Sequence, residues 1–198
     1  MKRLLLIFLI GVLSSGCSII ERPDFPPDET HIDDELLPYY ETFLDEREKM
    51  GFTEPLPHIT IRLGELNMSW RGVCKWAKEL NYGNNHVSQR EVVINKKHYD
   101  DVMAQDGEGY HKGIEVVLFH ELAHCFWQAK HYEKEYPRIV KVYEPETDEY
   151  VNYKVMCRDL MHTTGGSYKG SRDYLCYTQH FDLYQEQLHA IMSNKIWR

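Results

Sequence analysis

Apolar residues recur at regular intervals along most of the chain, and their spacing predicts the elements of a folded domain. A helix is predicted over 33–50, ended by Gly51, because its apolar residues are three or four positions apart. Those residues are Leu36, Leu37, Tyr40, Phe43 and Leu44. Strands are predicted over 58–63, where apolar and polar residues alternate, and over 91–95, with a turn cluster at 81–85 between them.

The second half of the chain contains the most strongly apolar helix, predicted over 113–130. Strands at 138–142 and 150–155 flank the turn-forming segment 144–148, which predicts a β-hairpin. A last helix is predicted over 173–193. The order of helix, strands, helix, hairpin and helix indicates an α+β fold.

The N-terminus has the pattern of an export signal. A short basic start precedes a compact apolar run that is too short for a good membrane-spanning helix. The run ends at Ser14-Ser15-Gly16-Cys17, which resembles a bacterial lipobox, although a serine replaces the usual aliphatic residue. The resemblance implies a signal peptide over 1–16 and a lipid on Cys17. The alternative is an ordinary signal peptide with an incidental cysteine.

Residues 17–32 are rich in proline and acidic residues, which predicts a flexible tether before a domain over 33–198. Ser18 follows the cysteine, in the place where an aspartate would indicate retention in the inner membrane. By the same resemblance, we expect a lipid-anchored protein of the bacterial cell envelope, in the outer membrane rather than the inner one.

Composition and charge narrow the class of protein. The chain has 198 residues, of which 42% are hydrophobic, and this is enough for one packed domain. Its 31 acidic residues outnumber 23 basic ones, so a nucleic-acid-binding surface is not expected. The one long apolar run lies at the N-terminus, which excludes a multi-span membrane protein.

Four cysteines remain in the domain when Cys17 is set aside, namely Cys74, Cys125, Cys157 and Cys176. In an exported protein, four thiols indicate two disulfides, for which three connectivities exist. A zinc–thiolate cluster is disfavoured because the chain has no Cys-x-x-Cys pair. The sequence alone does not choose among the connectivities, although we favour Cys74 as the partner of Cys125.

The clearest chemical motif is His-Glu-Leu-Ala-His at 120–124, inside the apolar helix. His120 and His124 are four residues apart, so a helix places both imidazoles on one face, where they can bind one metal ion. Glu121 lies at the edge of that face. In such motifs, the glutamate does not bind the metal but takes a proton from the metal-bound water.

A catalytic zinc ion needs a third protein ligand and an open position. His131 lies seven residues after His124, about 10 Å further along a continuous helix, so it reaches the ion only if the helix ends early and the chain turns back. Glu144 lies at the spacing found in thermolysin-like gluzincins, although Pro145 and the apparent hairpin turn are the wrong context for a helical ligand.

The segment 120–131, His-Glu-Leu-Ala-His-Cys-Phe-Trp-Gln-Ala-Lys-His, and the later Asp159-Leu-Met-His162 resemble a metzincin-type zinc peptidase. They are especially similar to small bacterial lipoproteins of metallopeptidase type. Gly72-Val-Cys74, the strand at 91–95 and the stretch 180–188 resemble the same family. The resemblance implies a small zincin-like domain with a short mixed sheet, an active-site helix and a C-terminal helix.

By the same resemblance, His131 is the third ligand of one zinc ion per chain, and Met161 is the methionine of a tight turn beneath the ligands. Three departures from the common metzincin pattern stand out. Lys130 occupies the usual position of the third histidine, Trp127 replaces the helix-ending glycine, and Thr163 replaces a tyrosine found in some members.

The implied activity is zinc-dependent hydrolysis of a peptide or protein substrate, with Glu121 as general base and then general acid. Two alternatives stay open, a gluzincin-like peptidase that uses Glu144 and a non-catalytic, zinc-stabilised binding lipoprotein. The strand at 91–95 could pair with an extended substrate if it lies at a sheet edge, although a buried strand fits its sequence equally well. The sequence indicates neither the cleavage preference nor the oligomeric state.

Overall fold

A computed structural model of the protein describes residues 29–67, 69–76, 90–105, 108–162 and 172–193. These residues form five helices, a four-stranded mixed sheet and a two-stranded sheet, which confirms the predicted α+β class. The predicted signal peptide, Cys17 and the predicted turn at 81–85 lie outside the described residues.

The larger sheet consists of β1 (His31–Ile32), β2 (Ile59–Gly64), β3 (Gly72–Trp76) and β4 (Arg90–Asn95). Its strand order is β1-β2-β4-β3, with β3 antiparallel to β4 and the other pairs parallel. β4, the predicted strand at 91–95, is therefore internal and cannot be the edge that meets a substrate. Among the described strands, β1 and β3 lie at the two edges, and we did not predict β3 because it is short and begins with glycine.

Two residues assigned to the tether, His31 and Ile32, form β1 and pair with β2. The chain then enters α1 (Leu37–Lys49), which lies within the predicted helix and has Pro38 in its first turn. Leu36, Tyr40 and Phe43 are buried, as expected from their spacing, whereas Leu37 and Leu44 are 39% and 37% exposed.

A short helix that we did not predict, α2 (Lys96–Met103), follows β4 directly. Its first turn is capped by Asn95, whose side-chain oxygen accepts a hydrogen bond from the Lys97 N–H at 3.1 Å. Only Tyr99 and Val102 of this helix are buried, so its apolar pattern is too sparse to stand out in the sequence.

The predicted central helix is α3 (Glu108–Trp127), which contacts the sheet on one side and other helices on the other. Apolar residues along it are almost completely buried, among them Ile114, Leu118, Phe119 and Leu122. The helix ends three residues before the predicted boundary at 130. This early end lets the chain turn back toward the helix.

The predicted hairpin is confirmed and consists of β5 (Glu135–Glu144) and β6 (Glu149–Arg158). The prediction of one helix over 173–193 is wrong, because the segment forms α4 (Arg172–Gln179) and α5 (Phe181–Met192). His180 interrupts it with a non-helical backbone (φ −139°, ψ 42°), while its ring Nε2 donates to the Ile139 carbonyl at 2.8 Å. The helical spacing of apolar residues does not reveal this hydrogen bond to β5, so it could not predict the break at His180.

Both predicted disulfides are present. Cys74–Cys125 links β3 to α3, in agreement with the partner that we favoured, and Cys157–Cys176 links β6 to α4. The two bonds thus attach an edge strand and the hairpin to the helical layer. Within the described part of the chain, no helix is both long and apolar enough to cross a membrane.

Candidate metal centre

The two histidines of the helical motif face the same side of α3. The Nε2 atoms of His120 and His124 lie 3.0 Å apart, with ring centroids separated by 4.6 Å. This is the arrangement expected of residues one helical turn apart. The two rings therefore present their Nε2 atoms to a common point.

The third histidine is brought back by the way α3 ends. Gln128, the first residue after the helix, has a left-handed backbone (φ 56°), and its N–H donates to the His124 carbonyl at 3.1 Å. The next N–H, that of Ala129, donates to the Ala123 carbonyl at 3.2 Å. This reversal of the chain direction after α3 allows His131 to reach the other two histidines.

The Nε2 atoms of His124 and His131 lie 3.1 Å apart, and the three histidines each offer a ring nitrogen within 4.8 Å of the others. Tetrahedral Zn–N bonds of about 2.0–2.1 Å would separate two ligand nitrogens by about 3.3 Å, so these spacings suit one ion. Among the described residues, this trio is the group of side chains close enough to hold a metal. Glu144 is not part of it, since its Oε1 accepts a hydrogen bond from Tyr153 Oη at the far end of the hairpin.

Backbone carbonyls orient two of the rings. His120 Nδ1 lies 2.6 Å from the Leu160 oxygen, and His124 Nδ1 lies 2.5 Å from the Ala129 oxygen. Because a carbonyl oxygen only accepts, each Nδ1 carries the hydrogen, and each Nε2 keeps its lone pair for a metal. Sequence analysis missed Leu160 and Ala129, because their contribution comes from the backbone and leaves no side-chain signal.

Burial favours the neutral form of these ligands. It lowers the pKa of His120 to about 3, and burial is also the main cause of the lowered pKa values of His124 and His131. Three neutral imidazoles are the donors that a transition metal requires. Imidazole suits zinc, copper, iron and nickel, so the ligand set fits a transition-metal ion.

Glu121 lies beside the three histidines and is only 6% exposed. Burial raises the pKa of its carboxyl group to about 8, and a hydrogen bond from the Cys74 backbone opposes this shift. Gly72, also in β3, lies directly against the same side chain. Glu121 is therefore fixed between α3 and the edge strand, close to the motif histidines but outside the ligand trio.

Met161 lies in a tight turn. The His162 N–H donates to the Asp159 carbonyl at 3.1 Å, and the Met161 N–H donates to Asp159 Oδ1 at 2.9 Å. Met161 is fully buried, and its carbonyl accepts a hydrogen bond from the Tyr132 N–H at 2.9 Å. The turn therefore fixes the segment that follows His131, through Tyr132, and it also places the Leu160 carbonyl against the His120 ring.

A cavity of about 670 Å³ opens beside the trio. One wall is formed by residues 69–74, which include the start of β3. Residues 158–160 and His162 also line the cavity, and His162 Nε2 lies 2.8 Å from Glu133 Oε2. An extended segment of another molecule could thus reach the three histidines and Glu121 from the same space.

Comparison of the chain with protein-family models, with curated proteins and with solved structures finds no match.

Proposed function

We propose that the protein is a zinc-dependent peptidase. The observation that carries the proposal is the convergence of three histidine Nε2 atoms beside the buried carboxyl group of Glu121, at the wall of an open cavity. Three protein ligands with a vacant fourth direction are typical of catalytic zinc sites, whereas structural sites are closed by four ligands.

Each residue has a distinct task in this proposal. His120, His124 and His131 hold the ion, while the carbonyls of Leu160 and Ala129 fix the first two rings. When bound, zinc would activate a water molecule and polarise the scissile carbonyl.

Glu121 moves the proton. Its carboxylate takes a proton from the attacking water and then delivers that proton to the nitrogen of the leaving amine. Burial raises the pKa of the carboxyl group, which helps the group to hold the proton between the two steps. A purely structural metal site has no need of such a group.

The edge strand β3 supports a peptide as the substrate. The Arg71 carbonyl accepts a hydrogen bond from the Asn95 N–H of the neighbouring segment at 2.8 Å. Because antiparallel strands alternate, the backbone groups of Gly72 and the Cys74 carbonyl are directed away from β4, on the side where the Cys74 N–H donates to Glu121. An extended peptide that pairs with this edge would lie along the cavity that contains the histidines.

The envelope location rests on the N-terminal sequence. The apolar run and Ser14-Ser15-Gly16-Cys17 support export and lipidation at Cys17. Two disulfides in the domain fit an oxidising compartment outside the cytoplasm. We therefore propose that the peptidase is attached through its lipid in the bacterial cell envelope, in the outer membrane rather than the inner one, where it faces the periplasm or the cell surface.

The test is hydrolysis of fluorescently labelled casein by the full-length chain, purified from the membrane fraction and loaded with zinc. Glu121→Gln should lower the rate at least 100-fold while the zinc content stays at one ion per chain. Glu115→Gln is the matched control, since Glu115 is a buried glutamate of the same helix that pairs with Lys112 at 2.8 Å. Equal rates for the parent and Glu121→Gln would contradict the proposal.

A further inference from the structure

Strand β3 approaches Glu121 so closely that a side chain at position 72 has no room. A Cβ atom built on Gly72 would lie 2.6 Å from Glu121 Cγ and 2.8 Å from Glu121 Oε1. Separations below 3.0 Å essentially never occur for real Cβ atoms. Any residue larger than glycine at position 72 must therefore move the Glu121 side chain or the strand.

The backbone conformation of Gly72 does not itself require glycine. Its φ angle lies outside the left-handed region, in contrast to that of Gly51, where φ is 85°. An L-residue could adopt the Gly72 conformation without strain. The close approach to Glu121 is thus the feature that explains a glycine here.

The same strand also holds the other end of the Glu121 side chain. The Cys74 backbone donates a hydrogen bond to the carboxyl group, and the Cys74–Cys125 disulfide attaches this part of β3 to α3. Cys125 directly follows His124 in the sequence. Strand β3 is therefore fixed against the helix at the residue that contacts the carboxyl group.

We infer that Gly72 is a positioning residue for Glu121. Because position 72 has no side chain, the Glu121 carboxyl group can occupy the space beside the metal ligands, within reach of the Cys74 N–H. The inference rests on the proposed function for the role of Glu121 as the proton carrier. If Gly72 has this role, a substitution at position 72 can impair proton transfer by Glu121 without impairing metal binding. The rings of His120 and His124 are held by Leu160 and Ala129, not by β3, so an enlarged residue 72 should displace the carboxyl group and spare the ion.

A double-mutant cycle tests the steric contact without metal or substrate. Thermal unfolding of the chelator-treated protein would be compared for Gly72→Ala, Glu121→Ala and the double variant. Removal of the Glu121 side chain should restore at least half of the melting temperature lost in Gly72→Ala. If Gly72→Ala does not fold, folding of the double variant would support the contact, and failure of both variants would overturn it.

Gly64→Ala is the matched control on strand β2 of the same sheet. A Cβ there would be crowded by Arg62 Nη1 at 2.6 Å and Val93 Cγ1 at 2.7 Å, away from Glu121. Its loss of melting temperature should be the same with and without Glu121→Ala. An additive result for Gly72→Ala as well would contradict the inference.

Binding of acetohydroxamate to the zinc-loaded protein tests the positioning role without turnover. This probe chelates zinc and gives its hydroxyl proton to a neighbouring carboxylate. Gly72→Ala and Glu121→Gln should each weaken its binding at least tenfold in calorimetry, while zinc affinity changes less than threefold. Parent-like hydroxamate affinity in Gly72→Ala would overturn the inference. A lack of casein hydrolysis by the parent would count against the proposed function alone, because the hydroxamate comparison does not depend on it.

Discussion

His124 and His131 are seven residues apart in the chain, yet their Nε2 atoms lie 3.1 Å apart. A continuous helix would separate them by about 10 Å along its axis. The left-handed backbone of Gln128, immediately after α3, removes that separation. In the common metzincin pattern that the sequence resembles, a glycine and the third histidine each come one residue earlier. Here, the left-handed residue and the histidine are both displaced by one position.

This relationship predicts opposite effects for two substitutions of Gln128. Gln128→Gly should keep zinc and leave stability unchanged or raised by about 1 kcal/mol, because glycine adopts the left-handed conformation without a Cβ clash. Gln128→Val should lower stability by about 2 kcal/mol and weaken zinc binding, because a β-branched residue is strongly disfavoured there. Urea unfolding and chelator competition would measure both effects. Equal zinc affinity in the two variants would show that the left-handed turn does not position His131.

Gln187 of α5 should control the metal site from outside the ligand set. Its Oε1 accepts the Leu160 N–H at 2.7 Å, while the Leu160 carbonyl accepts the His120 ring N–H at 2.6 Å. Gln187→Met should leave a buried N–H without its acceptor and lower stability by about 1–3 kcal/mol. Zinc affinity should fall about 10- to 100-fold, as is typical for partners of ligand residues.

The control is Gln185→Met, a residue of the same helix whose side chain contacts Glu46 at 2.7 Å. Chelator competition on this variant should give the affinity of the parent protein. If Gln187→Met also binds zinc like the parent, the hydrogen-bond chain through Leu160 has no part in holding His120.

The two disulfides should differ in their effect on stability. Cys74–Cys125 closes a longer loop than Cys157–Cys176, with sequence separations of 51 and 19. Chain entropy gives about 4 kcal/mol for the first bond and about 3 kcal/mol for the second. Paired serine substitutions and urea unfolding would test this order. We further expect casein hydrolysis to fall only with the first pair, because Cys74 contacts Glu121. An equal fall with both pairs would point to general loss of structure.

Stability should decrease as the solution becomes acidic, in part through His98. Burial, followed by the nearby Arg71 guanidinium, lowers the pKa of His98 to about 4 from a model-peptide value of 6.5. Between these pH values the unfolded chain binds more protons than the folded one, so stability is lost as pH falls from about 6.5 toward 4.

His98→Gln removes this titration. The melting temperature of the chelator-treated variant should therefore fall less between pH 7 and pH 4.5 than that of the parent. Measurements at pH 8, where the imidazole is neutral in both states, give the baseline difference between the two proteins. Identical slopes below pH 6.5 would mean that His98 is not protonated on unfolding in this range.

Sequence patterns revealed the elements whose stabilising contacts repeat along the chain. The apolar helix and the hairpin were predicted because burial imposes a regular period on their residues. β3, which forms only the edge of the sheet, and α2, with two buried residues, carry no such period. The break at His180 depends on a hydrogen bond to Ile139, a residue 41 positions away.

The same distinction applies to the metal centre. His120, Glu121 and His124 were identifiable because their chemistry and spacing are local to one helix. The choice of His131 over Glu144 needed the family resemblance. The left-handed turn after α3 that brings His131 back is formed by Gln128 and contains no glycine, so the sequence alone does not indicate it. Gly72 contributes by leaving room for the Glu121 side chain, and Leu160 and Ala129 contribute their backbone carbonyls to His120 and His124. Only the folded structure shows these contacts.

The most direct test of the account is the metal content of the purified protein, measured by mass spectrometry for the parent, His131→Ala and Glu144→Ala. We predict one zinc ion per chain in the parent and in Glu144→Ala, and loss of the ion from His131→Ala. Retention of zinc by His131→Ala together with its loss from Glu144→Ala would contradict the three-histidine centre. A parent protein that binds no zinc even after reloading would contradict the proposed metal centre itself.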